Sequence, residues 1–204
     1  MAITVRPARP GDPAAGLLHA SAAPYYDAFA GGTARAAALL AYLFPHAGHS
    51  ASYDVCLIAE RDGELAGAMT AFAAEDAGRY ARRFVSLAVR RLPPIAWPAA
   101  IRHLRAASRV SPTPPAGSWY VDGLAVAEAH RRHGVAQALL EAAAEDARRA
   151  GAGALALDTG FENAAAQALY AKVGFAVRGQ ARVPDAETAA ALGGTGFISY
   201  AKRV

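Results

Sequence analysis

The sequence holds a single cysteine, Cys56, inside the apolar run Val55-Cys56-Leu57-Ile58. One cysteine cannot close an internal disulfide, and with no second Cys or His at ligand spacing it offers no zinc site; Cys56 reads as core. Long apolar runs are missing too. Hydrophobic residues make up 54% of the chain, but alanine supplies much of that, and no window approaches the roughly 20 apolar residues that span a bilayer. The N-terminus lacks the apolar centre of a signal peptide, so a cytoplasmic location is expected. The histidines show no spacing that suggests a metal site or a triad. Neither Gly-x-Ser-x-Gly nor the Walker Gly-x-x-x-x-Gly-Lys-Ser/Thr pattern occurs, which removes the commonest hydrolase and nucleotide-binding signatures.

Acidic residues are absent from one whole stretch. Between Ala77 and Val121 stand Arg79, Arg82, Arg83, Arg90, Arg91, Arg102, Arg105 and Arg109, with no Asp or Glu. Without these eight arginines the net charge of +4 becomes −4. The basicity therefore belongs to one segment, and a nucleic-acid-binding role for the whole protein is not expected. At 204 residues the chain fits one domain with a substantial core.

In chain order, Ile3 to Ala8 reads as a strand. Asp12 is placed to cap a helix that begins at Pro13 and is bent or ended by Pro24. A second helix follows Gly31-Gly32, capped by Thr33 and stopping before Pro45. Asp54 to Glu60 and Leu65 to Ala73 flank an Asp-Gly turn and predict a β-hairpin. In the arginine-rich stretch, Tyr80, Phe84, Leu87 and Ala88 share one face of a helix. Beyond Pro93-Pro94 a second helix, around Ala99 to Arg109, carries Ile101 and Leu104 as its apolar residues. This basic segment, residues 77–117, reads as a solvated surface hairpin, as a wall for an acidic acceptor or for phosphates, or as a dimer or membrane-surface element.

The centre of the chain is more specific. Tyr120, Asp122, Leu124 and Val126 alternate with Val121, Gly123 and Ala125 as in a half-buried strand. A basic turn with Arg131, Arg132, His133 and Gly134 follows, and from Val135 onward Leu139 and Leu140 recur at helical spacing, with Ala136 and Gln137 between. A strand that runs through a glycine turn into a helix N-terminus offers free backbone N–H groups and partial positive charge, an arrangement suited to an anion. An ordinary helix entry with solvated arginines is the plain alternative. Further on, Ala154 to Thr159 is a short strand and Asn163 to Lys172 a helix. Phe175 to Val183 and Gly196 to Lys202 are final strands, and the intervening loop, Pro184 to Thr195, is a candidate edge of the acceptor site. Gly151-Ala-Gly153 imitates a dinucleotide loop but follows a helix and opens a strand, the reverse of what that loop requires.

Two blocks carry a family resemblance. Arg131-x-x-Gly134-x-Ala136, after Leu124-Ala125-Val126, resembles the acetyl-CoA diphosphate motif of the GNAT N-acetyltransferases. Asn163-x-x-Ala166-x-x-Leu169-Tyr170-x-Lys172-x-Gly174-Phe175 resembles that family's later motif. The resemblance implies an α/β fold with a mixed sheet of about seven strands flanked by helices and a basic helical insertion before the central strand. It implies acetyl-CoA as cosubstrate and direct transfer of the acetyl group, in a ternary complex, to a primary amine on a small molecule or peptide. Cofactor contacts would come from Leu124, Ala125, Val126, residues 131–137 and Asn163, with Tyr170 near the sulfur as general acid. Asp122 is the candidate base, or a ligand for the cationic amine; Tyr120 and Glu128 are rivals for the role. Tyr25, Tyr26 and Phe29 either border the acceptor or belong to the core. His130 and His133, flanking the turn, are expected near solvent. Dimerisation is a family-level expectation. A non-catalytic acyl-CoA-binding regulatory module is the second reading.

Overall fold

Turn chemistry fixes the first hairpin. In the computed structural model, which describes residues 2–204, β2 (Cys56–Arg61) and β3 (Glu64–Ala73) are joined by Asp62 and Gly63, both with positive φ, as a tight hairpin turn requires. The first strand, β1 (Ile3–Pro7), pairs antiparallel with β2. Two short helices follow, α1 (Ala15–Ser21) and α2 (Ala23–Ala30), broken at Ala22, with Pro24 in the first turn of α2. There its missing N–H costs nothing. Asp12 does not cap α1. Its carboxylate accepts the Arg9 backbone N–H at 2.6 Å and pairs with Arg6 at 2.9 Å, and Arg6 reaches Glu60 at 2.7 Å, so a cation on the preceding strand, itself tied to β2, takes the acid from its capping role. In α3 (Thr33–Leu43), Gly32 is the capping position and Thr33 donates its hydroxyl to Asp27 instead.

The arginine-rich stretch forms α4 (Ala77–Arg91) and α5 (Trp97–Val110), which pack on α3, α2 and the later helix α8 (Ala186–Leu192). Phe84 and Ala88 are buried as their spacing predicts. In α5 the expectation fails: Ile101 faces outward, while His103 turns inward with Ala100, Ala106, Ala107 and Val110. The reason is helical phase, because those residues form the stripe that meets α2 and α8. The stretch at 184–195 is likewise no plain loop, since α8 lies within it, with Asp185 accepting the Thr188 N–H as its cap.

The remaining elements are β4 (Ser118–Val126), α6 (Val135–Arg149), β5 (Ala154–Gly160), α7 (Ala164–Lys172), β6 (Ala176–Arg182) and β7 (Gly196–Arg203). Seven strands form one mixed sheet in the order β1-β2-β3-β4-β5-β7-β6, parallel only between β4 and β5. Period-two alternation divides the interior. Cys56, Ile58 and Ala68 point into a cluster with α1 to α5, whereas Ala59, Met69, Leu155 and Leu157 point into a cluster with α6 and α7. The central strands are thus covered on both faces.

Candidate active site

The pairing of β3 with β4 slips by one residue in the middle. Ala71 faces Val121 and Thr70 faces Gly123, so Asp122 has no partner and forms a β-bulge. A bulge reverses the facing of everything beyond it. Trp119 and Val121 pack with the α6 cluster, and after the bulge so do Leu124 and Val126. Gly123 faces α1, where an added Cβ would lie 2.9 Å from Ser21 Oγ. The face that alternation assigned jointly to Tyr120, Asp122, Leu124 and Val126 is therefore split, with Leu124 and Val126 on the opposite side.

On its other edge β4 parts from β5. Their parallel register runs from Ser118↔Ala154 to Val121↔Leu157 and stops, although β4 continues through Val126 and β5 through Gly160. The β5 residues beyond the split stay paired with β7, as far as Gly160↔Phe197. The result is a wedge whose inner edges carry strand N–H and C=O groups without a ladder partner.

Asp122 and Asp158 are the first residues past the last pair, one on each side of the apex. Tyr120 donates its hydroxyl to Asp158 Oδ2 at 2.9 Å, and Ser199 stands opposite Asp158 on β7. Burial pushes the Asp158 carboxyl up, against hydrogen bonds from Ser199 and Tyr120. Asp122 is pushed up to about 6, first by the protein enclosing it and further by Asp158, with the Ser50 hydroxyl opposing. The Asp122 residue itself is solvent-exposed, so water remains a proton partner. Burial and the charge of Asp122 raise the phenols of Tyr25 and Tyr26, while burial, then Asp158 and Asp122, raise that of Tyr120. Among the described residues neither carboxylate forms an ion pair. Beside them a cleft of about 330 Å³ is lined by Tyr120, Asp158, Ser199, Tyr200 and residues 113–115.

At the wide end of the wedge the chain turns into α6. Arg132 and Gly134 both adopt left-handed backbone, with φ of 64° and 86°. Gly134 is the capping position of α6, no side chain caps it, and an added Cβ there would meet only Ile3 Cδ1, at 3.9 Å. The first-turn N–H groups of a 15-residue helix thus open onto unfilled space. Arg131, Arg132, His133 and Gln137 are exposed around it, whereas Val135, Leu139 and Leu140 anchor the helix beneath. Such a concavity suits a diphosphate. His133 is solvent-facing as expected, but His130 is half-buried. Its Nε2 lies 3.5 Å from Glu64, and its Nδ1 is buried without a hydrogen-bond partner.

Asn163 caps α7, its Oδ1 accepting the Ala166 N–H at 3.2 Å. One helical stretch later Tyr170 is buried, its ring 5.8 Å from Phe175 and 5.6 Å from Tyr200. Burial raises its phenol, and Tyr200 and Asp158 add to this. Phe29 is core, and Tyr25 and Tyr26 are half-buried, packed against the helical clusters. The residue that sequence reasoning missed is Asp158. Its signal was present, as the one acid in the strand Ala154 to Thr159, after the apolar run Ala154 to Leu157.

The sequence profile described as the acetyltransferase (GNAT) family matches residues 22–175. A search of curated proteins finds no match. Among solved structures, one described as an acetyltransferase superposes with a TM-score of 0.70 at 21% identity, covering 98% of this chain and 99% of the other. An N-acetyltransferase from Staphylococcus aureus Mu50 gives 0.70 at 19%, covering 98% and 100%. An agmatine N-acetyltransferase gives 0.59 at 18%, covering 99% of each.

Proposed function

The chain belongs to the acetyltransferase (GNAT) family and is an N-acetyltransferase, and on that premise we propose that it acetylates a primary amine in the cytoplasm, using the wedge between β4 and β5 as its reaction site. Acetyl-CoA supplies the acetyl thioester. Its diphosphate fits the turn at residues 131–137, and its pantetheine arm fits the wedge alongside Leu124, Ala125, Val126 and Asn163. The observation that carries this reading is the coincidence of three features: a split ladder, a donor-lined turn at its mouth, and two carboxylates that form no ion pair among the described residues at its apex.

Asp122 and Asp158 hold the incoming amine as an ammonium, a small molecule or peptide terminus entering from the cleft. An amine attacks only after losing a proton, and a carboxylate near 4 is a weak base for an ammonium near 10. Raising Asp122 to about 6 narrows that gap, and, being solvent-exposed, it passes the proton to water. Backbone N–H groups of residues 122–126, Leu124 among them, are the donors for a carbonyl oxygen that gains charge. Tyr170 keeps its proton across the working pH range, because burial moves the phenol further above 10. Full transfer of that proton to a thiolate near 8.5 runs uphill. Its contribution is therefore a hydrogen bond to the sulfur as negative charge develops, completed by proton delivery from the nearby polar cluster.

The test compares acetyl-CoA binding by calorimetry and thiol release, for the native protein and Gly134→Glu, over a panel of amines and peptides. Native binding lost in the variant, with release stimulated by one acceptor class, supports the reading and identifies the substrate. Binding retained in Gly134→Glu removes the diphosphate from this turn, and binding without release from any acceptor turns the chain into a regulatory module.

A further inference from the structure

Six large apolar side chains are exposed among the described residues, and four of them lie between Val89 and Ile101: Val89 at 37%, Ile95 at 81%, Trp97 at 44% and Ile101 at 49%. Val89 is in the last turns of α4, Ile95 is in the connecting turn, and Trp97 and Ile101 are in the first turns of α5. Trp97 and Ile101 are one helical turn apart on α5, and Ile95 stands at the tip of the turn. Trp97 is not loose, since its Nε1 donates to the Leu92 carbonyl at 3.3 Å. The indole is held facing out.

The surrounding charge has one sign. Of the eight arginines of α4 and α5, only Arg79 forms an ion pair among the described residues, with Asp76 at 3.0 Å. Arg90 and Arg102 flank the apolar tip and are exposed. Isolated exposed apolar residues need no explanation, but a cluster rimmed by cations marks an interaction surface. A second copy of the chain does not fit it, because a two-fold contact through this tip would bring both sets of arginines together with no acid between them. A nucleic acid would match the arginines yet leave the isoleucines without an apolar partner. An anionic bilayer surface meets both requirements: acyl chains for Ile95 and Ile101, the interfacial layer for the Trp97 indole, and phosphates for the arginines.

We propose that the tip between α4 and α5 docks this enzyme peripherally on anionic lipid membranes. The arrangement keeps the membrane away from the chemistry. Helix α5 has 14 residues, so the tip stands about 20 Å from the segment at 113–115 that borders the cleft.

The experiment is co-sedimentation of the full chain with vesicles of phosphatidylcholine alone, or mixed with phosphatidylglycerol. The native protein sediments with the mixed vesicles, and less as salt is raised. Replacing both Ile95 and Ile101 by Asp lowers partitioning at least tenfold. The pair Arg90→Ser and Arg102→Ser lowers it about 25-fold, at about fivefold per arginine near an anionic surface. Both variants keep the native thermal midpoint, because the altered side chains are on the surface. Absence of native binding to mixed vesicles overturns the proposal. So does undiminished binding by the Ile95/Ile101 variant, which would mark the arginines as a general polyanion site for nucleic acid or acidic protein.

Discussion

His103 gives the sharpest physical test of the packing that supports the site. It is 1% exposed, with Nδ1 3.1 Å from the Ala191 carbonyl on α8 and its ring centroid 4.2 Å from Tyr25 and 5.5 Å from Phe29. Burial lowers its pKa to about 4, against the pull of that one hydrogen bond. The unfolded chain protonates this histidine near 6.5, whereas the folded chain resists until about 4. Stability is therefore full above 6.5 and is lost as pH falls toward 4, because the unfolded state binds the extra proton. At 1.36 kcal/mol per pH unit the loss over that window is about 3 kcal/mol. His49, also buried with a lowered pKa, acts in the same direction, and the raised carboxylates Asp122 and Asp158 act in the opposite one. The assay must for that reason compare two proteins. Urea unfolding of the native chain and of His103→Gln, which keeps a donor for Ala191, is followed across the window. The variant is less stable at neutral pH through its lost ring contacts, and the gap between the two proteins narrows by about 3 kcal/mol toward pH 4. A gap that stays constant with pH would refute the assignment of this acid sensitivity to His103.

Other outcomes follow from the site and its frame. Tyr170→Phe lowers kcat by about 10²-fold or more with little change in acetyl-CoA affinity; unchanged turnover in a stopped-flow thiol assay removes Tyr170 from the chemistry. Activity that depends on ionised Asp122 falls as pH drops through about 6, and Asp122→Asn abolishes that limb of the kcat/KM profile; an identical limb in the variant assigns it to another group. Gly193 is left-handed, with φ +83, and an added Cβ would overlap the Pro24 carbonyl on α2, whereas Gly63, equally left-handed, faces open space. Calorimetric melting should show Gly193→Ala losing about 3 kcal/mol and Gly63→Ala about 1, the difference measuring the contact between α8 and α2. Equal losses would mean that α8 yields without cost.

Local chemistry made much of this protein readable from its residues. The Asp62-Gly63 turn, the helix starting at Val135 behind left-handed Gly134 and the seven strands each depend on neighbours within a few positions, and residue types at such spacings determine them. The two blocks around Gly134 and Tyr170 identified the family for the same reason. What the sequence could not contain is pairing. Asp122 became a bulge because β3 and β4 slip by one residue against each other, and that slip moved Leu124 and Val126 to the other face. Asp158 acquired a role only where β5 parts from β4 and Tyr120 reaches across at 2.9 Å. Asp12 lost its cap to Arg6, which is itself tied to Glu60 on the neighbouring strand, and Ile101 was turned outward while His103 went in, because α2 and α8, distant in the chain, meet α5 on that side. Composition, turns and the order of strands and helices were determined by the sequence alone. The apex, its paired carboxylates and the exposed tip between α4 and α5 were decided by tertiary structure, since each depends on contacts between segments far apart in the chain.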